Sequence, residues 1–129
     1  MNFNIITNKN GRYLDCTPFT GVLSSEKDAI DLVSACFSND ISSLLLHERS
    51  VSPDFFNLRT GLAGAVLNKF QIYNIKMALI IQDMGLLEGR FGEMVMESNK
   101  GNEFRVYDSV QAAEEWMLPA AHEPVMRLE

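Results

Sequence analysis

Hydrophobic positions alternate with polar ones at the start of the chain. Phe3-Asn4-Ile5-Ile6-Thr7 and Arg12-Tyr13-Leu14-Asp15-Cys16 flank Asn8-Lys9-Asn10-Gly11. Two short alternating runs joined through an Asn-Gly turn predict a β-hairpin. Pro18 and Gly21 then break the pattern, and Ser25, followed three residues later by Asp28, has the form of a capping box. Ala29, Ile30, Val33, Cys36 and Phe37 recur behind it at helical spacing, which predicts a helix closing at Asn39-Asp40 with Cys36 turned inward.

The run Ser43–His47 is short and continuously apolar, as in a strand covered on both faces of a parallel sheet. Ser52 and Pro53 suit the cap and first position of a helical turn through Phe56. Leu62, Val66, Phe70 and Tyr73 form the stripe of a longer helix, ending at Asn74, a residue that tolerates left-handed backbone. Beside that stripe Gly61, Gly64 and Ala65 predict a flat patch for close helix packing. Ile75–Ile81 reads as a strand inside the sheet and ends in Gln82-Asp83. From Met84 to Glu97 the spacing of Phe91, Met94 and Val95 is helical, but Gly85, Gly89 and Gly92 predict a mobile loop over Met84–Gly92 before a short helix. Phe104–Tyr107 is a further strand. Asp108 or Ser109 caps a helix bearing Ala112, Ala113, Trp116 and Met117, which Pro119 stops.

The resulting order, β-β-α-β-α-β-α-β-α, predicts an α/β fold: a single mixed, largely parallel sheet covered by helices, occupying residues 1–118, with 119–129 as an unstructured tail. Its central requirement is that the segments centred on Leu45, Leu79 and Val106 lie side by side and run the same way. With 129 residues there is room for one such core. Eleven basic against seventeen acidic residues leave a net charge of −6, the wrong sign for a protein that neutralises phosphates, so nucleic acid is excluded as a partner. No apolar run approaches the roughly 20 residues of a transmembrane helix. The start, Met-Asn-Phe-Asn-Ile-Ile-Thr, has no basic segment ahead of an apolar one, which implies the cytoplasm. In that reducing compartment Cys16 and Cys36 read as core fillers without a disulfide.

The segment Asp54–Gly64 continuing through Leu67-Asn68-Lys69-Phe70 and Tyr73, together with Glu97-Ser98-Asn99-Lys100-Gly101, resembles the bacterial family known as domain of unknown function 4180. The likeness is strongest over residues 28–81 and 97–113. The resemblance implies a fold and no chemistry. The element order is also similar to the STAS domain and its SpoIIAA-like relatives, in which a Ser or Thr before Gly-Leu opens a helix and accepts a phosphate. That resemblance points to Thr60-Gly61-Leu62 as an anion or phospho-acceptor site. Glu48 stands where the strand-terminal Asp of that family would be.

Ligands of open α/β sheets gather beyond the carboxyl ends of the strands. The sequence puts His47, Glu48, Gln82, Asp83 and Asp108 there. An imidazole with three carboxylates suits a divalent cation or an acid–base pair; the plain alternative is that polar residues appear wherever strands emerge into water. His47 equally suits a backbone hydrogen bond, Glu93 and Glu97 a solvated helix face, and the seven methionines gaps in the core. No nucleotide, zinc or nucleophile-elbow motif is present, and no cofactor is implied. The leading reading is therefore a small binding or regulatory module acting through a protein partner or a homodimer, with Thr60 and Gly61 as an anion site beside His47, Glu48 and Asp83. The alternatives are an enzyme or metal-binding protein using His47, Glu48, Asp83 and Asp108, and a small-molecule or lipid carrier with a pocket under the Met84–Gly92 loop.

Overall fold

The computed structural model describes residues 3–16 and 22–120. The break at Pro18 and Gly21 and nearly all of the expected tail, His122 included, fall outside them. Five strands, β1 (Asn4–Asn8), β2 (Gly11–Cys16), β3 (Ser43–His47), β4 (Lys76–Ile80) and β5 (Phe104–Tyr107), form one sheet in the order β1-β2-β3-β4-β5. The β1–β2 pair is antiparallel; β2–β3, β3–β4 and β4–β5 are parallel. Leu46 stands beside Leu79, and Leu79 beside Val106, so the three central segments are neighbours in one direction, as the apolar runs require. Four α-helices, α1 (Glu26–Ser38), α2 (Leu62–Ile72), α3 (Gly89–Ser98) and α4 (Val110–Met117), complete the mixed α/β fold.

Local chemistry sets the boundaries. In the hairpin Asn8 pairs with Gly11, so the tight loop is Lys9-Asn10, and Gly11, at φ +141°, opens β2 instead of sitting in the turn. Asn8 Oδ1 accepts from the Asn10 amide at 2.7 Å. Ser25 caps α1 by accepting from the Asp28 amide, and Ser109, not Asp108, caps α4 by accepting from the Ala112 amide. Ser52 accepts from the Asp54 amide and starts a 3-10 turn at Pro53–Phe56. Asn74 follows α2 with φ +56°, the left-handed stop its side chain favours.

Because strand side chains alternate, the sheet has two cores. Leu14, Cys16, Leu44, Leu46, Met77, Leu79, Phe104 and Val106 face one side, covered by α1, α2 and α3. Phe55 stacks edge-on against Phe91 and Phe104 there, at 6.0 and 6.3 Å between ring centres. Tyr13, Leu45, Ala78 and Ile80 face the other side, where Ala113 and Met117 of α4 complete a smaller cluster. Among the described residues no helix is long and apolar enough to cross a membrane.

Three local expectations are corrected. In α1 the buried stripe is Ala29, Leu32, Val33 and Cys36, whereas Ile30 and Phe37 are exposed. Both stripes have helical spacing, and the slightly rotated one reaches the sheet; Phe37 instead meets Tyr73 edge-on at 5.7 Å. The glycine patch of α2 does not serve close packing. Gly64 is exposed, with nothing within 4 Å of where a Cβ would stand, and Gly61 is used for its left-handed backbone at φ +79°. Close packing falls to Gly92, inside the stretch expected to be mobile. Helix α3 already begins at Gly89, Gly92 is buried, and a Cβ on it would lie 1.7 Å from the Leu87 carbonyl oxygen. Leu86 and Leu87 pack against the main core, which anchors the segment leading into α3.

Candidate functional site at the carboxyl ends of the strands

Strands β3 and β4 end next to each other, with His47 in register with Ile80. Odd-numbered β3 residues share the face of Leu45, so His47 emerges on the α4 side of the sheet at its carboxyl edge. Asp15 of β2 emerges on the same face, because it alternates with Leu14 and Cys16, which face the larger core. The two side chains meet, with His47 Nε2 at 2.9 Å from Asp15 Oδ1. Their exposures are 28% and 19%, so water reaches a pair that is still well held. A carboxylate on one ring nitrogen fixes the orientation of the imidazole.

The chain beyond β3 is fastened from two directions. Ser50, fully buried, donates to the Cys16 carbonyl at 2.7 Å and accepts from the His47 amide at 3.3 Å, which ties the end of β3 to the end of β2. Glu48 Oε1 accepts from the backbone amides of Gln82, at 2.7 Å, and Asp83, at 3.1 Å. One carboxylate oxygen thereby clamps the exit of β4 to the exit of β3. Asp83 Oδ1 accepts from the Gly85 amide at 3.0 Å and turns the chain into the 3-10 segment Met84–Leu87. These bonds wall a cleft of about 470 Å³ lined by His47, Glu48, Arg49, Ile80, Gln82 and Asp83. Its lining brings together an imidazole, a guanidinium, two carboxylates and the apolar side chain of Ile80.

Of the residues expected to cluster, His47, Glu48, Gln82 and Asp83 do so, while Asp108, Thr60 and Gly61 do not line this cleft. The Thr60 hydroxyl is engaged locally. Its one proton lies within reach of the carbonyls of Asp54, at 2.7 Å, and Asn57, at 2.9 Å, and its oxygen accepts from the Leu62 amide at 3.2 Å, which secures the entry into α2. Among the described residues no group of three or more His, Cys, Asp and Glu side chains is placed to hold a metal ion. Cys16 and Cys36 are free and buried in the main core. Burial pushes the Cys16 thiol up from its usual 9.0 to about 12 and the Cys36 thiol to about 11, so neither supplies a thiolate near neutrality.

Asp15 and Arg49 are the site residues that inspection of the sequence passed over. The signal for Asp15 was a single acidic residue near the carboxyl end of a strand whose neighbours are buried. Its value appears only once β2 is known to lie parallel to β3.

Comparison with curated proteins and with solved structures finds no match. A family model described as Domain of unknown function (DUF4180) matches residues 8–117, from the hairpin turn to the end of α4, and the chain belongs to that family.

Proposed function

We propose that this protein is a small binding module of regulatory type whose recognition site is the cleft at the carboxyl ends of β3 and β4. The observation that supports this reading is the Glu48 clamp: a carboxylate spent on two backbone amides of the next strand holds the cleft open and ordered beside the His47–Asp15 pair. Ordering a site before ligand arrives reduces the entropy lost on binding. The volume and the mixed lining suit a small polar molecule that both donates and accepts hydrogen bonds, with Arg49 answering an anionic group and His47 read out through Asp15. Binding, more than catalysis, fits the side chains available. The thiols are buried and hard to ionise, and the Thr60 hydroxyl is committed to the backbone outside the cleft.

The test is amide-resolved NMR with small carboxylates, phosphates, amines and polyols added separately. One class should perturb residues 47–50 and 80–84 together and saturably, and His47→Ala should remove the effect. If no class perturbs that cleft, or if His47→Ala leaves the response intact, the reading is wrong.

A further inference from the structure

A second cleft, of about 390 Å³, opens between the carboxyl-terminal halves of α2 and α3, beside the start of β5. We propose that it is a binding site for a small hydrophobic amine. Its walls come from Leu67 and Phe70 of α2, Met94 of α3 and Phe104 of β5. Phe70 and Phe104 are almost entirely buried, so what they offer is ring surface at the floor, and Leu67 and Met94 are partly exposed flanks. Met94 has an unbranched, polarisable side chain that refits around different apolar shapes. This chemistry takes an alkyl or aryl group.

The rim decides the charge. Glu97 and Glu103 are the charged residues lining the cleft, and no cationic side chain lines it. Glu97 has Lys100 at 3.4 Å, but that pair is about three-quarters exposed on both sides and weakly held. The Glu103 carboxylate takes part in no ion pair among the described residues. The nearest other cation in sequence, Arg105, is engaged elsewhere: its Nε donates to the Gly101 carbonyl at 2.7 Å and its guanidinium lies over the Trp116 ring. An apolar slot with an aromatic floor and an acidic mouth favours a ligand with an apolar body, which lies against the rings, and an ammonium head, which meets the carboxylates. The overall charge of −6 favours the approach of the same ligand and repels its carboxylate counterpart. This cleft lies at the opposite end of α3 from the Met84–Gly92 segment.

The experiment uses octylamine, octanoate and octanol, each followed by amide-resolved NMR at neutral pH with the full chain. Octylamine should bind saturably, with shifts at residues 67–71, 94–98 and 101–104. Octanoate should bind at least about tenfold more weakly and octanol should fall between them. Glu97→Gln and Glu103→Gln should each weaken octylamine about threefold, the effect of one partly exposed charge. Filling the slot by Met94→Trp should abolish binding; Leu67→Trp fills it from the other helix, so one of the two serves if the other does not fold. The proposal fails if octylamine gives no saturable shift there, if octanoate binds as well as octylamine, or if binding survives in a folded filled variant. His47→Ala should leave octylamine binding unchanged, which separates this site from the cleft at the strand ends.

Discussion

Gly92 and Gly64 both stand inside helices, yet alanine should move stability in opposite directions at the two positions. At Gly64 a Cβ meets nothing within 4 Å, so Gly64→Ala gains the helix propensity and the reduced freedom of the unfolded chain, together about 0.5–1 kcal/mol. At Gly92 the same methyl would lie 1.7 Å from the Leu87 carbonyl oxygen and 2.7 Å from its carbon, where 3.4 Å is ordinary contact. These are backbone atoms, so no rotamer change relieves the clash. The turn Met84–Leu87 has to retreat, and Leu86 and Leu87, which pack on the main core, have to move with it. Overpacking of this kind costs about 1–3 kcal/mol, and the rigid neighbour places Gly92→Ala at the upper end. Subtracting roughly 1 kcal/mol of propensity leaves a net loss of about 2 kcal/mol. For a domain of this size that lowers the melting temperature by roughly 6–10 °C, against a rise of a few degrees for Gly64→Ala. Urea unfolding followed by circular dichroism measures both. If Gly92→Ala matches or exceeds the wild-type stability, the close approach of α3 to the turn before it is not real.

Stability should also fall in alkali. The folded thiols of Cys16 and Cys36 ionise at about 12 and 11 instead of 9.0, chiefly through burial, and burial followed by the hydrogen bond to Glu114 raises the Tyr13 hydroxyl as well. The native state keeps protons that the unfolded chain releases, so this stability is complete below about pH 9 for the thiols and about pH 10 for Tyr13 and is lost as pH rises through the folded values; Tyr13→Phe should flatten the slope of urea titrations above about pH 10 and leave it unchanged below. In acid the sign reverses for Asp28, whose carboxyl is held below its usual 3.8 first by the Ser24 amide. Its contribution is present above that value and fades below it, and Asp28→Asn should remove this acid dependence, whereas Ser25→Ala should cost about 1 kcal/mol at neutral pH through the lost cap. Glu48→Ala should cost about 1 kcal/mol and speed hydrogen exchange at the Gln82 and Asp83 amides selectively; unchanged exchange there would remove the clamp.

The sheet was legible because its strands are runs such as Leu44-Leu45-Leu46 and Met77-Ala78-Leu79-Ile80, which no amphipathic helix requires, and because Ser25, Ser52 and Asn74 mark boundaries through chemistry local to them. The faces of helices were less so. In α1 a small rotation exchanges Ile30 and Phe37 for Leu32, and only the partner surface fixes that angle. Glycine was ambiguous for the same reason: at Gly61 it answers a backbone angle, at Gly92 a neighbour five residues back, and at Gly64 neither. At the strand ends His47, Glu48 and Asp83 were found because termination of an apolar run is visible in one dimension. Asp15 was not, because its significance comes from a pairing across 32 positions of sequence.

Strand order that follows chain order has a consequence for biosynthesis. Each parallel unit adds to the outer edge of the one before it, so no later strand has to wedge itself between earlier ones while the chain leaves the ribosome. The surface of Tyr13, Leu45, Ala78 and Ile80 waits longest, since its cover, Ala113 and Met117, is translated after all five strands. Until α4 is made and docked, the growing sheet carries that side bare, and shielding it from other chains falls to the speed with which these last residues arrive.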